Sequence, residues 1–589
     1  MPKQPTTAIF LQDACLQHRF IRSRDSSNVV ERPERLRAVK LGLSAAIACL
    51  EDSLRIDVEK DQKEEITGSS LPAGEGTNGT NADALSVAMG RMTIGAPTSL
   101  DDVPLPPSFP IRIVKNGDVY LEKLRDLARD SAEKVAQGKS EIPDGLSQGD
   151  LYLCPDSIDA MQGALGTVCE AVDTVVHSSS PEAPEQSGIS AQKAFVAIRP
   201  PGHHCGEDTP AGFCFLNNVA VAAAHAHLAH NIKRIVVLDI DLHHGNGTQS
   251  IAWQINEETY RMKLESEFSG PGAPPSKPGL QVYYGSVHDI LSYPCEDGKA
   301  ELVQAASVSI HGPHGQYVEN IHLQPYETEE QFWEVVYKGA YSRLLQKAQE
   351  FLESTTKGSD DVMVFISCGF DASEHEYPSM SRHARKVPTS LFYRFTLDAC
   401  AFADRWAHGR LVSVLEGGYS DKALLSGSMA HLLGLVDSRG SSDAEVKMQE
   451  RVQWWNSDNV SMLENLTKKR RGHKTSLTST DARILSWLDR TTVLLSILDP
   501  ISNYPSFQKP ALPPSSMTLR NRKKAESPSP PTRTGPQKSN GSSEPKVIVN
   551  DGSSVSISST PEAPESDVSP QVFPKLPRVI LKVGPPPTT

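Results

Sequence analysis

Leu238-Asp239-Ile240-Asp241-Leu242-His243-His244-Gly245-Asn246-Gly247-Thr248 sets carboxylates and imidazoles one residue apart, directly after an apolar run. Alternate residues of a strand share a face, so Asp239, Asp241 and His243 can converge on one point. Two histidines and an aspartate are good Zn2+ ligands, and an open coordination position makes such a site catalytic rather than structural. A solvated loop would tolerate the same residues. Against that, Arg234-Ile235-Val236-Val237-Leu238 reads as a buried strand.

Working outward, three more apolar runs end in polar groups and glycines. Ala194–Ile198 leads through Arg199-Pro200-Pro201 into Gly202-His203-His204-Cys205-Gly206, with Ala211-Gly212-Phe213-Cys214-Phe215 soon after. Val362–Ser367 leads into Cys368-Gly369-Phe370-Asp371-Ala372, and Leu411–Leu415 into Glu416-Gly417-Gly418-Tyr419. Open parallel α/β sheets place ligand sites just past the carboxyl ends of their strands. Helical patterns between these runs imply a mainly parallel sheet covered on both faces.

The chemistry-bearing segments spread from His203 to Tyr419, so one large domain must hold them. Of the net charge of −13, residues 511–589 contribute +4, which leaves an acidic body of −17. That balance suits a cationic partner, equally serves solubility, and gives no basis for sequence-specific nucleic-acid binding. The nine cysteines form no CxxC pair, which argues for a reducing compartment and against a disulfide framework. No secretory leader pattern and no run of the roughly 20 apolar residues that span a bilayer is present, so a soluble intracellular protein without membrane contact is expected.

Arg32-Pro33-Glu34-Arg35 opens a helical pattern, with proline at its usual place near a first turn. Polar stretches at 57–109 and 256–279 read as mobile insertions, and residues 118–178 as mostly helical. Residues 476–500 suggest one more helix, whereas 501–589, rich in proline and serine, read as disordered. Lys468-Lys469-Arg470-Arg471 and Arg520-Asn521-Arg522-Lys523-Lys524 are basic runs suited to nuclear import or to a solvated surface. Pro577–Gly584 is an apolar-basic patch able to add as an edge strand to a partner.

Four motifs, Pro200–Asn218 (PPGHHCGEDTPAGFCFLNN), Val237–Gln249 (VLDIDLHHGNGTQ), Ser367–Ser373 (SCGFDAS) and Leu415–Ser420 (LEGGYS), resemble the zinc-dependent histone deacetylase family, class II type, in its fungal branch with a long tail. The resemblance runs from about residue 8 to about residue 460. It implies an arginase/deacetylase-like fold of about eight strands, with a catalytic domain over 1–465, a basic segment and helix over 466–500, and the tail beyond. It implies Zn2+, or Fe2+ with its overlapping preferences, on Asp241, His243 and Asp371. Potassium is implied near Asp239, Asp241, His243 and Ser286.

By the same resemblance His204 is the general base and acid, His203 its electrostatic partner, Asp239 the carboxylate that orients His203, and Tyr419 the donor to the developing oxyanion. Asn246 stands where class I relatives have aspartate. An amide stabilises imidazolium less well, so His204 is expected to be less basic than in those relatives. Gly212, Phe213 and Tyr293 resemble the wall of a narrow acyl-lysine channel. Arg35 resembles an arginine of an internal cavity, a helix-start ion pair being the alternative. After Asp371-Ala372 the chain departs from the family's Gly-Asp-Pro stretch, and Glu374, Glu376 and Met380 are expected at the substrate rim.

The implied activity is removal of acetyl from protein lysine, histones first, with roles in chromatin and transcriptional repression and a place in nucleus, cytoplasm or both. Corepressors or adaptors are possible partners of the tail. Acetylpolyamine hydrolysis and a non-enzymatic scaffold that binds acetylated tails are the alternatives.

Overall fold

A computed structural model describes residues 7–23, 25–26, 28–68, 92–94, 119–179, 191–268, 279–356, 358, 361–437, 444–467 and 482–500. Among the described residues nine strands form one sheet: β1 (Thr7–Leu11), β2 (Met92–Ile94), β3 (Lys193–Ala197), β4 (Arg234–Asp239), β5 (Gln281–His288), β6 (Ser309–His311), β7 (Tyr317–His322), β8 (Val362–Cys368) and β9 (Leu411–Leu415). Their order is β2-β1-β3-β9-β8-β4-β5-β7-β6, and only β6 runs antiparallel. β4 lies between β5 and β8, with Asp239 in register with Ser286 on one side and Ser367 on the other. Every residue of β3, β8 and β9 is buried, as expected for parallel strands covered on both faces.

Among the described residues the α-helices of six residues or more are α1 (Glu34–Gly68), α2 (Val119–Ala136), α3 (Ser157–Ser179), α4 (Asn218–His230), α5 (Asn246–Phe268), α6 (Ala300–Ala305), α7 (Ser342–Thr355), α8 (Ser390–Trp406), α9 (Asp421–Val436), α10 (Ala444–Val452), α11 (Ser457–Thr467) and α12 (Ala482–Leu498). Here α3 packs on α4, and α9 on α1 and α8. α1 crosses α9 so closely that a Cβ on Gly42 would stand 2.2 Å from the Leu425 carbonyl oxygen. None of the described helices is long and apolar enough to cross a membrane.

Three sequence boundaries are corrected. The first insertion is not uniformly irregular: α1 continues to Gly68, and Met92–Ile94 pairs with Thr7–Ile9 as a ninth strand. Residues 256–268 are helical, because α5 runs to Phe268, where Arg261 pairs with Glu258 and Glu265 at helical spacing. The body does not stop at 465: α12 packs on α1, Lys40 reaches Asp499 (3.3 Å), and Arg490 clasps Glu51 (2.6 and 2.9 Å). The rest of both insertions, both basic runs and residues 501–589, with the Pro577–Gly584 patch, lie outside the described residues.

Candidate active site

The carboxyl ends of β4, β8 and β9 lie side by side, and the turns that leave them bring three ligand-type side chains together. Ligand atoms of Asp241, His243 and Asp371 all lie within 4.8 Å of one another, in fully buried positions. His243 Nδ1 is 3.2 Å from Asp241 Oδ1 and 3.0 Å from Asp371 Oδ2. Backbone N–H groups aim both acids: Gly417 donates to Asp241 Oδ2 (2.8 Å), and Leu242 to Asp371 Oδ1 (2.8 Å). Glycine is required alongside, since a Cβ on Gly369 would fall 1.9 Å from Asp241 Oδ2 and one on Gly417 2.2 Å from Asp371 Oδ2.

Two buried carboxylates face to face are costly without a cation. Burial and the neighbouring Asp241 push the Asp371 carboxyl up. Asp241 is desolvated too, yet His203 and His243 hold its carboxyl down. Burial opposes charge on His243, but the two acids raise its pKa well above the ordinary value. The cradle draws positive charge, and its donor set of one imidazole and two carboxylates fits a Zn2+-like ion with coordination left open.

His203 and His204 stand beside this cradle with ring centroids 4.1 Å apart and ring planes tilted by 43°. His203 Nδ1–H donates to Asp239 Oδ2 (3.2 Å), which also accepts the Tyr284 hydroxyl (3.0 Å). Burial works against charge on His203, but Asp241 and Asp239 outweigh it and raise its pKa to about 10. His204 Nδ1–H donates to Asn246 Oδ1 (2.9 Å). Burial and the neighbouring His203 and His243 drive its pKa well below the ordinary value. The two adjacent imidazoles therefore differ sharply in basicity, set by a carboxylate behind one and an amide behind the other.

Tyr419 is buried, and desolvation with the nearby Asp371 keeps its phenol protonated. Its ring meets Phe213 at 5.7 Å, while Tyr293 stands edge-on to His204 at 4.8 Å. Gly212 lies between: a Cβ there would come within 2.5 Å of His204 and 2.8 Å of Tyr293. Asp239 and Ser286 are register partners, and the Ser286 hydroxyl bonds His288 Nδ1 (2.9 Å).

Arg35 is wholly buried beneath Tyr419, 5.0 Å from its ring. It donates to the carbonyls of Gly418 (2.6 Å) and Glu416 (2.5 Å) and pairs with Glu31 (3.1 Å), so all three guanidinium nitrogens are engaged. The helix-start ion pair is present, and Arg35 braces the backbone of the Tyr419 loop. The rim expectation is corrected for Glu376, which is 3% exposed and accepts the amides of Tyr419, Ser420 and Tyr377. Burial pushes its carboxyl up to about 7 against those bonds. Glu374 is exposed and tied to Thr389 (2.9 and 3.0 Å), and Met380 is half-buried.

Sequence reading passed over several buried partners. Glu416 Oε2 accepts the Gly202 (2.8 Å) and His203 (3.2 Å) amides, which seats the tandem-histidine turn. Glu31 receives both Arg199 (2.8 and 2.6 Å) and the Tyr152 hydroxyl (2.6 Å). Asp150 sits close enough to Tyr293 to help burial raise its phenol pKa. A charged residue terminating an otherwise apolar strand, as Arg199 and Glu416 do, was the available signal.

A model described as "Histone deacetylase domain" matches residues 117–435, more than half of the chain. Histone deacetylase HOS3 of Saccharomyces cerevisiae is 35% identical over 476 residues, 78% of this chain and 59% of that protein. Type-2 histone deacetylase 1 of Dictyostelium discoideum is 27% identical over 49% of this chain and 20% of its own length. The crystal structure titled HDA15 HD domain aligns at 19% identity over 79% of this chain and 99% of that one, with a TM-score of 0.42. The matched segments therefore span less than two thirds of each of these two curated relatives. The sheet, the four strand-end motifs and the family match agree: the chain belongs to the histone deacetylase family.

Proposed function

We propose that this protein hydrolyses the acetyl amide of N6-acetyl-lysine in proteins, histones among them, with a zinc ion on Asp241, His243 and Asp371. The observation that carries the reading is the meeting of those three side chains beside the His203–His204 pair and Tyr419. A divalent ion held there supplies Lewis-acid polarisation of the acetyl oxygen and acidification of water.

The chain's own residues do the rest. His204, neutral through burial and donating Nδ1–H to Asn246, keeps Nε2 as the basic nitrogen that takes a proton from attacking water and returns it to the departing amine. His203, held positive by Asp241 and Asp239, stabilises negative charge beside it. The Tyr419 hydroxyl, kept protonated, donates to the oxyanion as it forms. Phe213, Gly212 and Tyr293 confine the four methylenes of the lysine and exclude water.

Acetylpolyamine hydrolysis would favour a pair of rim acids for a second cation, but Glu376 turns inward and leaves Glu374. Peptide substrates are therefore the better fit. A chromatin role, nuclear entry through the basic runs and adaptor binding by the tail extend this reading. It is tested with acetyl-lysine peptides against acetylspermidine on the full chain: faster turnover of peptides is expected, and hydrolysis of neither would overturn the proposal.

A further inference from the structure

A second group of metal-type side chains stands apart from the cleft, where α3 packs on α4. Asp173 on α3 receives two imidazoles from α4 on one oxygen: His225 Nε2 lies 2.7 Å and His230 Nε2 2.6 Å from Asp173 Oδ1. The two rings are nearly perpendicular, with centroids 5.7 Å apart. The three side chains are 13–32% exposed, which is buried enough to be held and open enough to admit solvent.

His177, one turn beyond Asp173, donates Nδ1–H to the Asp173 carbonyl (2.5 Å), which leaves Nε2 as its lone-pair nitrogen. Its ring stands perpendicular to that of His230 at 5.3 Å. A histidine whose other ring nitrogen is fixed on a carbonyl is the usual arrangement around protein-bound metals.

We propose that Asp173, His225 and His230 bind a first-row divalent ion of the zinc class, with His177 or water completing a tetrahedron. Imidazole and carboxylate together suit such an ion better than Mg2+ or Ca2+, which prefer all-oxygen shells. Without an ion, each Nε2 carries a proton toward the shared oxygen. With one, the lone pairs face the ion and the three atoms spread to roughly 3.3 Å, the edge of a tetrahedron with bonds of about 2.0–2.1 Å. Partial exposure leaves room for that movement.

The role is structural. His230 is the last residue of α4 and precedes the first residue of β4, whereas Asp241 and His243 follow the last. A six-residue strand separates the two sites by roughly 20 Å. An ion here would pin the α4–β4 connection to α3 without touching the reaction.

The test is metal content by plasma mass spectrometry on the purified full chain after zinc loading and desalting. Two ions per chain are expected for the unaltered protein, and one for the variant carrying Asp173→Asn, His225→Gln and His230→Gln, with acetyl-lysine turnover preserved. His230→Gln alone, at a helix end where folding is least at stake, should release the second ion about tenfold more readily to a chromogenic chelator. Equal metal content in the unaltered protein and the triple variant, or equal release by His230→Gln, would each overturn the proposal.

Discussion

The Glu376 carboxylate carries the backbone of Tyr419: Oε2 accepts the Tyr419 amide at 2.7 Å, and Oε1 those of Tyr377 at 2.7 Å and Ser420 at 2.9 Å. An acid expected at the substrate rim thus sets the height of the phenol over the cradle. Glutamine keeps one carbonyl oxygen and turns an amide toward N–H groups, so one end of this clasp must open. Glu376→Gln is expected to lower kcat about tenfold, with KM and zinc content little changed, since small misplacement of a catalytic group is expensive. An unchanged kcat would remove the positioning role.

Tyr419→Phe removes the hydroxyl and keeps the ring between Phe213 and Arg35. Turnover should fall by about 10²–10³, the usual cost of a lost oxyanion donor. Zinc content should be unchanged. Turnover within threefold of the unaltered protein would argue that the oxyanion is met by other groups.

Glu31 sits, unexposed, between two equally buried guanidinium groups: Arg199 holds both of its oxygens and Arg35 one. Arg35 also carries the Gly418 and Glu416 carbonyls, so this pair couples stability to the site. Glu31→Ala should cost about 3–5 kcal/mol, the penalty for leaving buried charge unpaired. Denaturant unfolding measures it, and a loss below about 1 kcal/mol would mean that water or another acid replaces the carboxylate.

His18 and His431 are fully buried, and burial, aided by Arg199 for His18, depresses the pKa of each to about 3. The unfolded chain takes up these protons near the ordinary 6.5, whereas the folded chain refuses them. Stability is therefore full above 6.5 and falls as pH drops from there toward 3, by about 1.4 kcal/mol per group per unit. His18→Asn with His431→Asn should flatten the decline of the urea midpoint between pH 6.5 and 4.5. Parallel declines in both proteins would contradict the assignment.

The parts of the fold that were legible in sequence are those where burial is two-sided. Val236, Val237 and Leu238 announce β4 because a parallel strand covered on both faces must be apolar throughout, and Asp239 and Asp241 stand out against it. Stretches held by helix propensity and local charge were misread. Residues 57–66 and 256–268 lack an apolar stripe but are rich in Glu and Lys, good helix formers, and within 256–268 Arg261 pairs with Glu258 and Glu265. Glu376 was misplaced, and the loop contacts of Arg35 were missed, for another reason. Their partners are backbone amides and carbonyls of a loop far along the chain, and backbone groups leave no mark in side-chain sequence.

The central claim, one catalytic ion on Asp241, His243 and Asp371, is tested most directly by pairing metal content with turnover in Asp371→Asn. The variant should hold one zinc ion fewer per chain than the unaltered protein and show no measurable hydrolysis of an acetyl-lysine peptide. Full metal content with undiminished turnover in Asp371→Asn would contradict the account.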